Sequence, residues 1–199
     1  MSRTIHVRKT TIYLSVAGAL ALALPCFAHA QSPVDAFVAK VSDGIAGIHK
    51  EAGGDAAKTL TGCSDFLASV LDLPAMAKTA GRDGWERMSA EQRDAYEKAF
   101  ANKLAKECAR ELAKYNGEPI TLAGVRNVKG GEKLATLRLG PPEKARMIAW
   151  QLRSAGDTVS AVDVIFEGHS VMIKAHDDFL AVLRASRGNI DAVIESMRK

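Results

Sequence analysis

The sequence predicts an α+β domain: a four-stranded twisted antiparallel sheet with helices packed on one face. Three observations lead there. Apolar residues recur at a spacing near 3.6 through the first half of the chain. Between residues 120 and 166 the spacing changes to two. The stretches separating these alternating segments are short and rich in glycine and proline, as between antiparallel neighbours. Helices, then consecutive strands, then helices again is the segregation typical of α+β domains. A curved sheet under a helical lid is also a shape that encloses space.

The elements follow in order. Val34 to His49 has apolar residues at 34, 37, 38, 41, 45 and 48, and Gly53-Gly54 ends that helix. A second helix is predicted from about Asp55 to Leu71. Asp72-Leu73-Pro74 reads as a helix start, with proline in the first turn, and that helix stops at Gly81. Ser89 and Gln92 form an S-x-x-Q capping box opening a long helix to Tyr115, with Asn116-Gly117 as its stop. Its apolar stripe runs Tyr96, Phe100, Leu104, Cys108, Leu112. Its other face carries Glu97, Lys98, Lys103, Lys106, Arg110 and Lys114, read as a solvated face. Strands are predicted over Ile120–Val128, Lys133–Leu139, Arg146–Arg153 and Val159–Phe166. Alternation puts Ala135, Leu137 and Leu139 on one side, Ile148, Trp150 and Leu152 on one side, and Val162, Val164 and Phe166 likewise. Helical spacing resumes at Val171, Ile173, Phe179, Leu180 and Leu183, and a last helix spans Ile190 to Met197.

The first thirty residues read as a cleavable leader. Arg3, Arg8 and Lys9 precede an apolar run, Ile12 to Leu24, that Pro25 breaks. Ala28-His29-Ala30 supplies an A-x-A cleavage site before Gln31. The run is shorter than the roughly 20 apolar residues of a membrane span. The expectation is an exported protein cleaved after Ala30, with residues 31–199 as one domain. Arg3, Arg8 and Lys9 account for three of the four excess positive charges of the chain, so the mature body is near neutral. No basic stripe interleaved with aromatics follows, which argues against a nucleic-acid partner. Cys63 and Cys108 remain after cleavage. An oxidising compartment permits a bridge between them, but no sequence argument puts the two side chains together, and two buried free thiols are the readier reading.

Catalytic motifs are not apparent: there is no H-E-x-x-H, G-x-S-x-G, phosphate-binding glycine loop or paired-cysteine signature. The sequence therefore implies no catalytic residue, metal or cofactor. His169 and His176, with Asp177, have a spacing compatible with a shared helix face, yet separate surface or capping roles suit them better. Asp163 is expected to make a sheet-edge or turn hydrogen bond, and Glu167 a turn contact. The apolar faces by themselves describe a filled core as well as they describe a pocket.

Three stretches resemble one family. Asp72 to Trp85 (DLPAMAKTAGRDGW) has an aspartate, a short helix, then glycine and tryptophan. Met88 to Phe100 (MSAEQRDAYEKAF) is similar to a Ser-x-x-Gln-Arg-x-x-Phe-x-x-x-Phe helix. Val162 to Val171 (VDVIFEGHSV) is similar to Asp-Val-x-Val-Glu-Gly-Val-Ser. Phe179, Gly188 and the short final helix match in order and spacing. Together they resemble the MlaC family, also called the toluene-tolerance or organic-solvent-tolerance auxiliary proteins. His169 here replaces an apolar residue, and Cys108 stands where an aromatic is common.

The resemblance implies a non-catalytic periplasmic phospholipid-binding shuttle. It would serve a retrograde transport system that maintains outer-membrane lipid asymmetry. Its implied partners are a phospholipid, an inner-membrane ABC transporter complex and an outer-membrane lipoprotein complex. It also implies an apolar cavity. The candidate lipid-contacting residues are Leu137, Leu139, Ile148, Trp150, Leu152, Val164 and Phe166 on the sheet, and Leu73, Met76, Phe100, Leu104, Val171 and Phe179 on the helices. Trp85 is assigned to packing of the short helix. The rival expectations are a carrier of hopanoid or another apolar lipid, a small-molecule enzyme on a cone-shaped α+β fold, and a protein-binding adaptor with a filled core.

Overall fold

The computed structural model describes residues 32–156 and 158–198. The predicted leader lies outside the described residues. Helix α1 (Pro33–Ala52) starts on Ser32, whose hydroxyl accepts from the Asp35 amide. Helix α2 (Ala56–Val70) starts on Asp55, and α3 (Leu73–Ala80) on Asp72. Each side-chain oxygen satisfies a backbone N–H that has no partner inside the helix. A single-turn helix, α4 (Arg82–Trp85), was not foreseen. The long α5 (Ala90–Leu112) opens on the Ser89–Gln92 capping box with both reciprocal hydrogen bonds formed.

The sheet is a meander of β1 (Ile120–Asn127), β2 (Lys133–Leu139), β3 (Arg146–Ala155), β4 (Thr158–Phe166) and β5 (His169–Ser170), in the order β1-β2-β3-β4-β5. The two-residue β5 makes five strands where four were expected. Its neighbour Gly168 has φ +84° and Glu167 has φ +49°, so the β4–β5 link turns back within two residues. Helix α6 (Val171–Ala185) follows at once, and α7 (Ile190–Arg198) ends the described chain.

Pairing fixes the faces. Leu137 opposes Ile148, and Ala135 opposes Trp150. Ile148 opposes Phe166, and Trp150 opposes Val164. A bulge then intervenes: Gln151 opposes Asp163 but Leu152 opposes Ala161, leaving Val162 as the extra residue. A bulge residue shifts the alternation by one. Ala161, not Val162, therefore joins the buried face beside Leu152, and Ala161 is fully buried while Val162 is half-buried.

The helices cover this face. Helix α1 lies across β1, β2 and β4, while α2, α3 and α6 meet β4. Helix α5 packs on α2, α3 and α7. The link between α2 and α3 closes part of the β4 edge, where the Asp72 amide donates to the Ala161 carbonyl at 2.9 Å. Cys63 of α2 and Cys108 of α5 form a disulfide with Cα atoms 5.9 Å apart, which settles the question the spacing left open. Among the described residues, no helix is long and apolar enough to cross a membrane.

Candidate functional site

Between the sheet and the helical layer lies an open cavity of about 390 Å³. That volume falls in the roughly 300–1,000 Å³ range of small-molecule sites. Its floor is the inner row of the sheet: Leu139, Ile148, Trp150, Val164 and Phe166. Its walls are Met76 of α3, Phe100, Leu104, Cys108 and Leu112 of α5, and Val171 and Ala175 of α6. Ile45, Phe66, Leu67, Leu71, Tyr115 and Met197 complete the apolar lining. The indole of Trp150 is wedged edge-on between Phe37 and Phe66, at centroid distances of 5.7 and 6.4 Å.

Nine of the predicted contacts thus line the cavity: Met76, Phe100, Leu104, Leu139, Ile148, Trp150, Val164, Phe166 and Val171. Four do not. Leu137 and Leu152 share the sheet face but are sealed in the core, at 1% and 2% exposure. Leu73, in the first turn of α3, packs half-buried against the core beside the cavity. Phe179 lies on the stripe of α6 that also carries Met172, His176 and Leu183, all buried. Its ring meets Tyr96 edge-on at 5.6 Å and reaches the backbone of α4, where a Cβ on Gly84 would stand 2.6 Å from its Cζ. The glycine of the first motif is there because this ring leaves no room for a side chain.

Trp85 packs as expected, against Tyr96 and under the Arg93 guanidinium, 5.4 Å from the ring centroid. Asp163 holds the start of α6: its carboxylate accepts from the Ser170 hydroxyl at 2.6 Å and the Met172 amide at 3.0 Å. The buried His176 ties three elements together, with Nδ1 3.0 Å from the Ala80 carbonyl and Nε2 3.2 Å from the Asp83 carboxylate. His169 is exposed at the cavity rim, far from any shared helix face with His176, because β5 ends before α6 begins. Among the described residues, no three His, Cys, Asp or Glu side chains gather as a metal site.

The rim is polar and carries residues that pattern reading missed. Lys103, Glu107, Glu111, Arg146, Glu167, His169, Ser170, Lys174 and Asp178 border the opening. Lys103, predicted as merely solvated, bonds Asp178 at 3.0 Å, and Lys174 bonds the same carboxylate from one turn away. Partial burial alone would push the Asp178 carboxyl up. Hydrogen bonds and charge from Lys103 and Lys174 outweigh that and hold it below the usual carboxylate range. The missed signal is the i, i+4 run Lys103–Glu107–Glu111 flanking the apolar stripe of α5.

The family model "MlaC protein" matches residues 36–199. The chain belongs to the MlaC family. A solved phospholipid-binding protein from Ralstonia solanacearum, in complex with a phospholipid, is similar in structure, with a TM-score of 0.71 at 16% identity. The match covers 84% of this chain and 94% of that one. No curated protein matches the sequence. The MlaC motifs now have physical content. Asp72 caps α3, Gly84 admits Phe179, Ser89 and Gln92 cap α5, and Asp163 anchors α6.

Proposed function

We propose that this MlaC-family protein is a periplasmic phospholipid carrier that performs no catalysis. The observation that carries the reading is the open apolar cavity between sheet and helices, with charged groups confined to its rim. The likeness to a phospholipid-bound structure supports it. Exposing a two-chain lipid to water costs about 0.8 kcal/mol per CH₂, about 25 kcal/mol for roughly thirty methylenes. Free passage across an aqueous compartment is then negligible. An apolar hollow removes that barrier, and because bilayer and cavity are both apolar, transfer between them is close to balanced.

In this reading residues 1–30 are an export leader removed after Ala30. The mature protein shuttles lipid between an outer-membrane lipoprotein complex and an inner-membrane ABC transporter, in the retrograde direction. Of the nearby acids, Asp163 is committed to the start of α6 and the rim carboxylate of Asp178 to two lysines.

The test is mass spectrometry of organic extracts from protein purified from the periplasm, with N-terminal sequencing of the same sample. Co-purified phospholipid at near-stoichiometric amounts and a mature terminus at Gln31 are expected. A lipid-free protein that also fails to take up phospholipid from vesicles would sink the carrier reading. A hopanoid in the extract would change the cargo and leave the carrier standing.

A further inference from the structure

The inner row of β3 runs Trp150, Ile148, Arg146. Alternation puts all three on the helix-facing side, and Arg146 opposes Leu139 in register. Arg146 is therefore the charged end of an apolar row, standing at the mouth. Most other rim charges are already engaged. Lys103 and Lys174 close on Asp178, Arg110 on Glu107, and Lys114 on Glu111. Glu118 is near enough to feel the charge of Arg146. Yet Arg146 makes no side-chain hydrogen bond or ion pair among the described residues.

The Glu167 carboxylate is also without a partner among the described residues, and it too borders the opening. It stands in the left-handed region at φ +49°, followed by Gly168 at +84°. Asparagine or glycine is the usual residue at the first of two such positions, and a non-glycine residue held there at a ligand mouth is a pointer to function. The Glu167 amide donates to the Met147 carbonyl at 3.3 Å, so the turn sits beside the residue next to Arg146. One unpaired cation and one unpaired anion thus come to the mouth from just beyond the Ile148–Phe166 pair that ends the β3–β4 ladder.

We propose that this mouth reads a zwitterionic, amine-bearing phospholipid headgroup, with Arg146 donating to the phosphate and Glu167 accepting from the ammonium. This rests on the phospholipid reading above and narrows it. A guanidinium offers a fork of N–H donors to phosphate oxygens. A carboxylate beside it repels a net-anionic headgroup and attracts an ammonium. A lipid without phosphate leaves Arg146 with no partner. The Lys103–Asp178–Lys174 cluster has one surplus positive charge, which favours any phosphate and does not distinguish headgroups.

The experiment loads lipid-stripped full-length mature protein from vesicles of equal phosphatidylethanolamine, phosphatidylglycerol and diacylglycerol, then quantifies bound lipid by mass spectrometry. Wild type is expected to favour phosphatidylethanolamine over phosphatidylglycerol by about threefold, the size that exposed ion pairs support, with diacylglycerol lowest. Glu167→Gln brings the two phospholipids level, with less phosphatidylethanolamine and more phosphatidylglycerol bound. Arg146→Gln lowers both relative to diacylglycerol, and Arg146→Lys restores part of the difference. Glu167→Asn, better suited to the turn, raises the melting temperature while losing the headgroup preference, which separates recognition from structure. Wild-type loading at the vesicle ratio, or a preference that survives Glu167→Gln, overturns the proposal. Uptake of no lipid at all overturns the carrier reading itself, a result distinct from loading without preference.

Discussion

One helix builds two unlike neighbourhoods. The N-terminal half of α5 is packed solid around Tyr96 up to Phe100, where the cavity wall begins: Tyr96 and Phe100 stack at 6.3 Å, Phe179 and Trp85 close edge-on around Tyr96, and Gly81 and Gly84 let the backbone come near. The C-terminal half, through Leu104, Cys108 and Leu112, faces the cavity. Both halves show the same apolar spacing. What differs is what stands opposite. Interlocking rings and missing side chains fill one end, whereas the other faces aliphatic walls that the sheet keeps apart. A close-packed anchor thus carries a hollow, and the stability of the first allows the emptiness of the second.

That comparison can be broken or sharpened. Replacing Cys63 and Cys108 together by alanine removes the cross-link between α2 and α5 at the cavity wall. Closing a loop with a sequence separation of 45 contributes about 4 kcal/mol in the chain-entropy model. A loss of that order is expected by chemical denaturation, and a loss under about 1 kcal/mol would mean that helix packing alone holds the wall.

Gly84→Val strikes the solid end. A side chain there meets Phe179 and Ile190, and overpacking of this kind costs about 1–3 kcal/mol. Lipid loading of the surviving folded protein should be unchanged, and a selective loading defect would show that the two halves are coupled.

Ile148→Trp puts a ring into the hollow. Stability should move by less than about 1.5 kcal/mol, because space is available and the swap stays apolar, while bound lipid drops sharply. Equal stability loss at Gly84 and Ile148 would deny that the ends differ.

Asp178→Asn is the mildest change. Its solvent-screened ion pairs, half-buried with Lys103 and exposed at Lys174, contribute about 0–1 kcal/mol. The carboxyl is held below its ordinary value in the folded state, so its contribution is present above the unfolded value, ordinarily about 4, and is lost as pH falls through the folded one. The difference between wild type and variant should accordingly vanish in acid melts. A difference that grows on acidification would contradict the pairing.

Much of the frame was legible because it depends on local chemistry. Asp55, Asp72 and Ser89 announce helix starts through the hydrogen bonds their side chains make, and the short glycine-bearing links leave consecutive strands little choice but to pair. The inward faces were legible where spacing alone decides the facing, as for Leu104, Ile148 and Trp150; that they enclose a cavity was implied by the family resemblance alone. Phe179 escaped because Val171 and Phe179 lie on neighbouring stripes of one helix, and only the position of α4 determines which stripe meets the hollow. Val162 escaped because a bulge depends on the partner strand. The Cys63–Cys108 pairing needed the approach of two helices, and the contribution of α2 through Phe66, Leu67 and Leu71 needed the same tertiary fact.

The two margins of the sheet are finished differently. At one, the α2–α3 link meets β4 at Ala161 and β5 pairs with Ile165 and Phe166, so the edge is interrupted. At the other, β1 offers a free row of amides and carbonyls along an exposed strand. Unguarded, such a row is a template for stacking one copy on the next. Its pairing with β2 slips between Leu122 and Gly124, and that irregularity kinks the row so that a straight incoming strand cannot match it along its length. Copies of this chain are thereby kept from joining edge to edge into ribbons.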